Sequence, residues 1–272
     1  MRIALGVEYN GANFFGWQFQ PHARSVQGEV EIALSKVANH PVKVICAGRT
    51  DTGVHAIGQV IHADVTVQRS TRSWVLGTNS NLPIDVSMLW AQSVDNNFHA
   101  RFSAQARHYR YIILNRPTRP ALLTKQVTWE RRILEVERMQ IAGNYLIGTH
   151  DFHLIVPFPV KQKTPIRTIS RLMVSRMDDR VIIDISANAF LHHMVRNIAG
   201  VLITIGAGEK RPKWADTVLE AQDRTMGGIT APAAGLYFCG IDYPASYQFP
   251  KSTFFVLKII AFSSLFYDGI FN

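Results

Sequence analysis

MRIALGVEY (1–9) sets the reading of the fold. Ile3, Leu5, Val7 and Tyr9 fall on one face of an extended chain. Arg2, Ala4, Gly6 and Glu8 fall on the other. That period of two predicts a strand with one buried face. In SVQGEVEIALSKV (25–37) the period changes: Val26, Val30, Ala33, Leu34 and Val37 recur at helical spacing, with Ser25 in place to cap the first turn. The patterning then predicts strands over 42–46 and 58–67, a helix over 71–79 and a strand over 86–94. The order is β-α-β-β-α-β.

The rest of the chain repeats that order. A strand is expected over 108–114 and a helix over 134–147. Two strands, 168–177 and 180–188, flank a turn at Asp178-Asp179. Phe190, Met194, Val195, Ile198, Val201, Leu202 and Ile205 mark an apolar helix. A further helix over 213–224 precedes a last strand over 236–243. The expected fold is therefore α+β, with two ferredoxin-like halves of the kind RNA-recognition modules use, mostly antiparallel sheets and a cleft between them. The halves are read as 1–104 and 105–250, followed by an apolar tail, 251–272.

The chain has 272 residues, enough to bury a core without staples, and its 47% hydrophobic and 18% charged content reads as globular. Its formal charge of +9 favours a polyanionic partner. Two cysteines, Cys46 and Cys239, exclude a disulfide scaffold and a four-cysteine zinc site. Glu8 interrupts the N-terminal apolar run, so no signal peptide is expected, and no stretch has the roughly 20 apolar residues of a membrane span. A cytoplasmic protein is expected.

The chemistry gathers in AGRTDTGVHA (47–56), on a loop between two strands. Gly48 and Gly53 permit tight turns. Arg49 stands two residues before Asp51. A guanidinium close to a carboxylate keeps the acid ionised, and an ionised, oriented carboxylate can serve as nucleophile or base. An ordinary Asp-Thr-Gly surface turn beside a bystander arginine explains the same residues, and both readings are open. Arg49 also suits a phosphate clamp, and His55 an ordinary loop histidine. No second carboxylate is near, so a paired-acid glycosidase site is unsupported. Gly206 to Arg211 lacks the spacing of a nucleotide P-loop.

Cations and aromatics interleave in NFHARFS (97–103) and RHYRY (107–111). Such rings can stack on unpaired bases while the cations meet phosphates; Tyr109 and Tyr111 equally suit a core. His192 and His193, adjacent on a predicted helix, would point about 100° apart, so no metal site is expected even with His150 and His153 nearby in type. Arg196 is an unusual charge on an apolar helix and needs a carboxylate or phosphate partner. Ala231 to Leu236 is either a plain loop or a small-residue lining that allows close backbone approach. Arg24, Arg69, Arg72, Arg101, Arg107, Arg110 and Arg196 are candidates to meet phosphates.

Over about residues 1 to 250 the chain resembles the tRNA pseudouridine synthase A family. The resemblance rests on Tyr9-Asn10-Gly11, Gly16-Trp17-Gln18, Val26-Gln27-Gly28, Ala47 to Ala56, Asn81-Leu82-Pro83, Phe98 to Phe102, Tyr109-Arg110-Tyr111, Met194 to Asn197 and Gly235-Leu236. It implies conversion of uridine to pseudouridine at positions 38, 39 and 40 of the tRNA anticodon stem-loop. It implies Asp51 as the catalytic residue, Tyr109 as a substrate-binding residue and Arg49 as partner of Asp51 or as the group that helps extrude the nucleotide. It also implies a homodimer of two-part subunits, with no cofactor. Ile155 and the apolar tail depart from the family pattern. A non-catalytic RNA-binding protein and a uracil-releasing nucleoside glycosidase are the competing readings.

Overall fold

The computed structural model describes residues 1–152, 165–220 and 229–250. The tail 251–272, the end of the helix expected to reach Arg224, and the segment holding His153 and Ile155 lie outside the described residues. The protein is mixed α/β, with mostly antiparallel strand pairing and, among the described residues, five α-helices. The described chain divides into two compact units, 1–109 with 236–250, and 110–235.

The first unit holds β1 (Arg2–Tyr9), α1 (Val26–Ala38), β2 (Val44–Cys46), β3 (His55–Asp64), α2 (Thr71–Asn79), β4 (Val86–Val94) and, from the far end of the chain, β10 (Leu236–Asp242). β1 lies antiparallel between β3 and β4; Leu5 faces Ile61 on one side and Ala91 on the other. β3 is shared by two neighbours on its remaining edge. β2 covers its Ile61–Ala63 end, antiparallel, and β10 covers its His55–Ala56 end, parallel. The helices bury Val26, Val30, Leu34 and Trp74 against Ile3, Leu5 and Val7. Ser25 caps α1, its side chain accepting from Gly28 N, and Asn39 ends it in the left-handed region.

The expectation of one buried face for β1 is corrected. Ala4 is also buried, packed with Ala47, Val60, Phe98 and Ala100. A Cβ on Gly6 would stand 2.1 Å from Trp90 Nε1. Tyr243, Tyr247 and Phe249 pack around Phe98 at centroid distances of 5.2, 4.9 and 5.2 Å. Small residues alternate in β1 because aromatic rings lie against that side.

The second unit takes over β5 (Ala106–Asn115) at Arg110. It adds β6 (Thr128–Glu130), α3 (Val136–Leu146), β7 (Gly148–Asp151), β8 (Ile166–Met177), β9 (Arg180–Ala187), α4 (Met194–Gly206) and α5 (Trp214–Glu220). β7, β8 and β9 pair antiparallel, and β6 runs parallel to β5. The short strands β6 and β7 were not expected; three or four residues carry too little periodicity to read. α4 begins at Met194 rather than Phe190, because His193 adopts a left-handed φ of 61°. His192 and His193 therefore precede the helix instead of lying on it, and their rings stack at 3.7 Å. No helix among the described residues is long and apolar enough to cross a membrane.

Candidate active site

The loop 47–54 leaves β2 at Cys46 and enters β3 at His55, three residues earlier than the alternation suggested. Almost every part of it is held by residues distant in sequence. Ala47 N donates to Val60 O at 2.8 Å. The buried side chain of Gln59 spans Gly48, donating to its carbonyl at 2.6 Å and accepting from its N–H at 3.4 Å. Thr50 Oγ1 and the Tyr9 hydroxyl share a buried hydrogen bond of 2.7 Å. Trp17 N donates to Thr50 O at 3.0 Å, and Gly53 N donates to Phe14 O at 3.3 Å. Within the loop, Val54 N closes a turn on Asp51 O at 3.1 Å, with Gly53 at φ 78°.

Two glycines of the first loop let it lie this close. A Cβ on Gly11 would stand 1.9 Å from Val54 O, and one on Gly16, at φ 87°, would stand 2.7 Å from Thr50 O. Gly11 N also donates to Nδ1 of the buried His55 at 3.1 Å, and that ring stacks on Tyr237 at 4.7 Å. His55 is thus a satisfied structural histidine that fixes the start of β3.

Asp51 is partly exposed and Arg49 exposed on this immobilised loop. Tyr109 packs against Phe238 at 4.9 Å. Both rings approach Gly48, where a Cβ would stand 3.4 Å from Phe238 and 3.9 Å from the Tyr109 hydroxyl. Burial pushes the Tyr109 phenol well above its ordinary pKa; the charges of Tyr9 and Asp51 add to the rise and Arg107 opposes it. The Cys46 thiol is pushed up to about 12 by burial, with Arg49 acting the other way, so it stays protonated and inert at neutral pH.

Arg107 reaches the same loop. Its guanidinium donates to Ala47 O at 3.4 Å, Arg101 O at 2.7 Å and Ala104 O at 3.3 Å, and burial lowers its pKa. Arg101 is exposed, 5.6 Å from the Phe102 centroid, and Phe102 stacks on His99. The first unit therefore gathers Arg49, Asp51, Arg101, Arg107 and Tyr109.

Arg196 belongs to the second unit. Its Nε donates to Ala231 O at 2.8 Å, and its charge offsets part of the rise that burial imposes on the Tyr111 phenol. Tyr111 is core: its hydroxyl bonds Thr128 Oγ1 at 2.5 Å and Pro232 O at 2.7 Å. Gly235 lies where a Cβ would meet Ile112 O at 2.6 Å, so the small residues of 231–236 serve close backbone approach. Two basic residues expected to meet phosphates are committed elsewhere. Arg110 pairs with Asp184 through two bonds, at 2.7 and 2.9 Å. Arg24 pairs with Asp85 and Glu29.

Tyr9, Phe14, Gly16, Trp17 and Gln59 were not read as parts of this site. For Gln59 a signal existed: an amide in the middle of a buried strand needs a polar partner.

A basic protein with an exposed arginine and a partly exposed carboxylate on one braced loop is suited to a polyanionic substrate. The family described as tRNA pseudouridine synthase matches residues 6–103 and 142–244, and the chain belongs to that family. Its curated relatives include the tRNA pseudouridine synthase A of Coxiella burnetii (strain Dugway 5J108-111), 54% identical over 250 residues, covering 92% of this chain and 96% of the relative. That of Nitrosococcus oceani is 55% identical over 251 residues, covering 92% and 97%. The protein is a pseudouridine synthase, an isomerase of uridine in tRNA. A solved chain titled "Structure of H/ACA RNP bound to a substrate RNA containing 2'-deoxyuridine" is 10% identical, covering 74% of this chain and 53% of that one, with a TM-score of 0.31, too low to carry an argument.

Proposed function

We propose that this isomerase acts on uridines 38, 39 and 40 of the tRNA anticodon stem-loop, with Asp51 as the catalytic group. The observation that carries the reading is the bracing of the Asp51 loop. Bonds from Tyr9, Phe14, Trp17, Gln59 and Val60 converge on its backbone and on Thr50, while the carboxylate itself stays partly exposed. Held this way, a carboxylate loses little entropy on meeting a substrate.

The reaction breaks the N1–C1′ bond, turns the uracil and forms C5–C1′. The C5 proton leaves and N1 gains one, so atoms balance without redox or ATP. The uridine has to leave its stack for a side chain to reach the sugar. Asp51 either attacks C1′ or takes a proton from C2′. Tyr109, kept protonated by burial, suits donating a hydrogen bond near the base; accepting the C5 proton would require it first to release its own. Arg49 and Arg101, exposed beside the loop, suit phosphate contacts or nucleotide extrusion. Arg107, spent on three carbonyls, acts more as a brace for Ala47 than as an RNA ligand. Arg196 completes the proposed RNA-contacting set, and a homodimer the proposed assembly. In the first unit the order β4-β1-β3 with β2 beyond β3 supports a ferredoxin-like half.

The test is mass-spectrometric mapping of an unmodified tRNA transcript incubated with the purified protein. Pseudouridine at 38–40 is expected. Pseudouridine elsewhere would overturn the position, free uracil would identify a glycosidase, and binding without conversion a non-catalytic protein.

A further inference from the structure

The loop running from β1 to α1 carries four aromatic rings, and the structure sorts them. Phe14 and Trp17 are buried, at 2% and 1% exposure, while Phe15 and Phe19 stand out at 58% and 51%. Phe19 has company: the Lys43 ammonium lies 5.8 Å from its centroid, and its edge runs along Gly28. Phe15 has no ring or cation partner among the described residues.

Looseness does not account for this exposure. Phe15 N donates to Arg24 O at 2.9 Å, and Phe15 O accepts from Gln20 Nε2 at 3.1 Å. The residues on either side are tied to the catalytic loop. Phe14 O takes Gly53 N, Trp17 N gives to Thr50 O, and a Cβ on Gly16 would stand 3.1 Å from the Asp51 carbonyl carbon. A bare ring is thus fixed on rigid backbone whose neighbours abut Asp51 from both sides.

We infer that Phe15 is a substrate-binding residue whose ring stacks on an unpaired base of the RNA presented to Asp51. The inference rests on the proposed function above. Everting a uridine strips its neighbours of stacking, and an aromatic face replaces the lost partner. Stacking is indifferent to base identity, which suits a site proposed to accept uridines at three neighbouring positions with different flanking bases.

The experiment compares Phe15→Ala, Phe15→Leu and Phe15→Trp with the unaltered protein on one unmodified tRNA transcript. Phe15→Ala and Phe15→Leu should each lower kcat/KM by roughly five- to a hundredfold, carried mainly by KM, and Phe15→Trp should restore it. The same order of affinities should appear in the Asp51→Asn background, where turnover is too slow to disturb a binding measurement. RNA should also change the fluorescence of Phe15→Trp beyond any change in the unaltered protein. Melting curves should coincide, since the ring is exposed; were Phe15→Ala to lose its fold, the Leu and Trp variants carry the test. Unchanged KM and affinity in Phe15→Ala, or full activity in Phe15→Leu, would overturn stacking while pseudouridine formation left the proposed function standing. Loss of pseudouridine in the unaltered protein would instead defeat the proposed function, with the binding measurements still deciding Phe15.

Discussion

The loop from β2 to β3 and the turn from β8 to β9 both present aspartate between two antiparallel strands. Asp178-Asp179 closes a two-residue turn whose shape follows from the register of the strands it joins. Met177 faces Arg180 across the hairpin, Asp178 takes a φ of 52°, and Asp179 is tied in addition to Asn115 N at 2.6 Å and to the Arg116 guanidinium at 3.5 Å. The loop 47–54 is too long to be fixed by strand register alone. It takes its shape from residues 9 to 17 and 59 to 60, which reach it as hydrogen bonds and as glycines small enough to touch its backbone. A two-residue turn is shaped by register and φ, and its distant bonds only add to that; an eight-residue loop needs bracing from several elements before a carboxylate on it is both immobile and accessible.

The sharpest break of this comparison is charge removal at the two places. Asp51→Asn should lower pseudouridine formation by roughly a thousandfold or more while tRNA binding persists in a filter or anisotropy assay; Asp178→Asn should leave turnover within twofold. Retained turnover in Asp51→Asn defeats the assignment of the catalytic group.

Next in size is the bracing itself. Gly11→Ala drives a Cβ into Val54 O, with no flexible neighbour to yield, and should cost about 1–3 kcal/mol in denaturant unfolding together with activity. Gly208→Ala tests the same change without the neighbour: φ is 81°, and nothing lies within 4 Å. Its cost should be backbone strain alone, about 1–2 kcal/mol, with turnover kept.

A pH series separates folding from chemistry. Burial, aided by Arg2 and His99, holds His62 down at about 4, and its Nδ1 accepts from Ala100 N. Unfolded, that histidine titrates near its ordinary 6.5. The unfolded chain then binds the extra proton, so stability should fall as pH drops from 6.5 towards 4, and hold above 6.5. In His62→Gln that slope should flatten, read from Tm against pH.

Smaller is Tyr9→Phe, which removes the Thr50 partner and should cost about 1 kcal/mol, with a further loss of turnover as the Asp51 loop loosens. The smallest effect belongs to the local turn. Asp178→Gly suits φ 52° and should change stability by less than about 1 kcal/mol.

Much of this molecule was legible in its residues. Periodicity marked α2 and β4 at their observed ends, and Ser25 as the cap of α1. The residues placed Arg49 and Asp51 on a loop between two strands, and the structure finds them there. β6 and β7 are too short to carry a period, and α4 starts later than its apolar run because His193 leaves the helical region without any periodic signal. Arg110 looked like an RNA contact until Asp184, on another strand, claimed it.

Alternation, capping and charge act over a few neighbouring residues, so the linear chain alone determined the order of elements, the basic character and the position of Asp51 between two strands. Which side chains hold that aspartate still, why Gly11 and Gly16 are small, and why β10 returns to lie along β3 were decided only in three dimensions. Those contacts join positions from 11 residues apart, as in Gln59 with Gly48, to far ends of the chain, as in Tyr237 with His55, and they exist only once the intervening chain has folded.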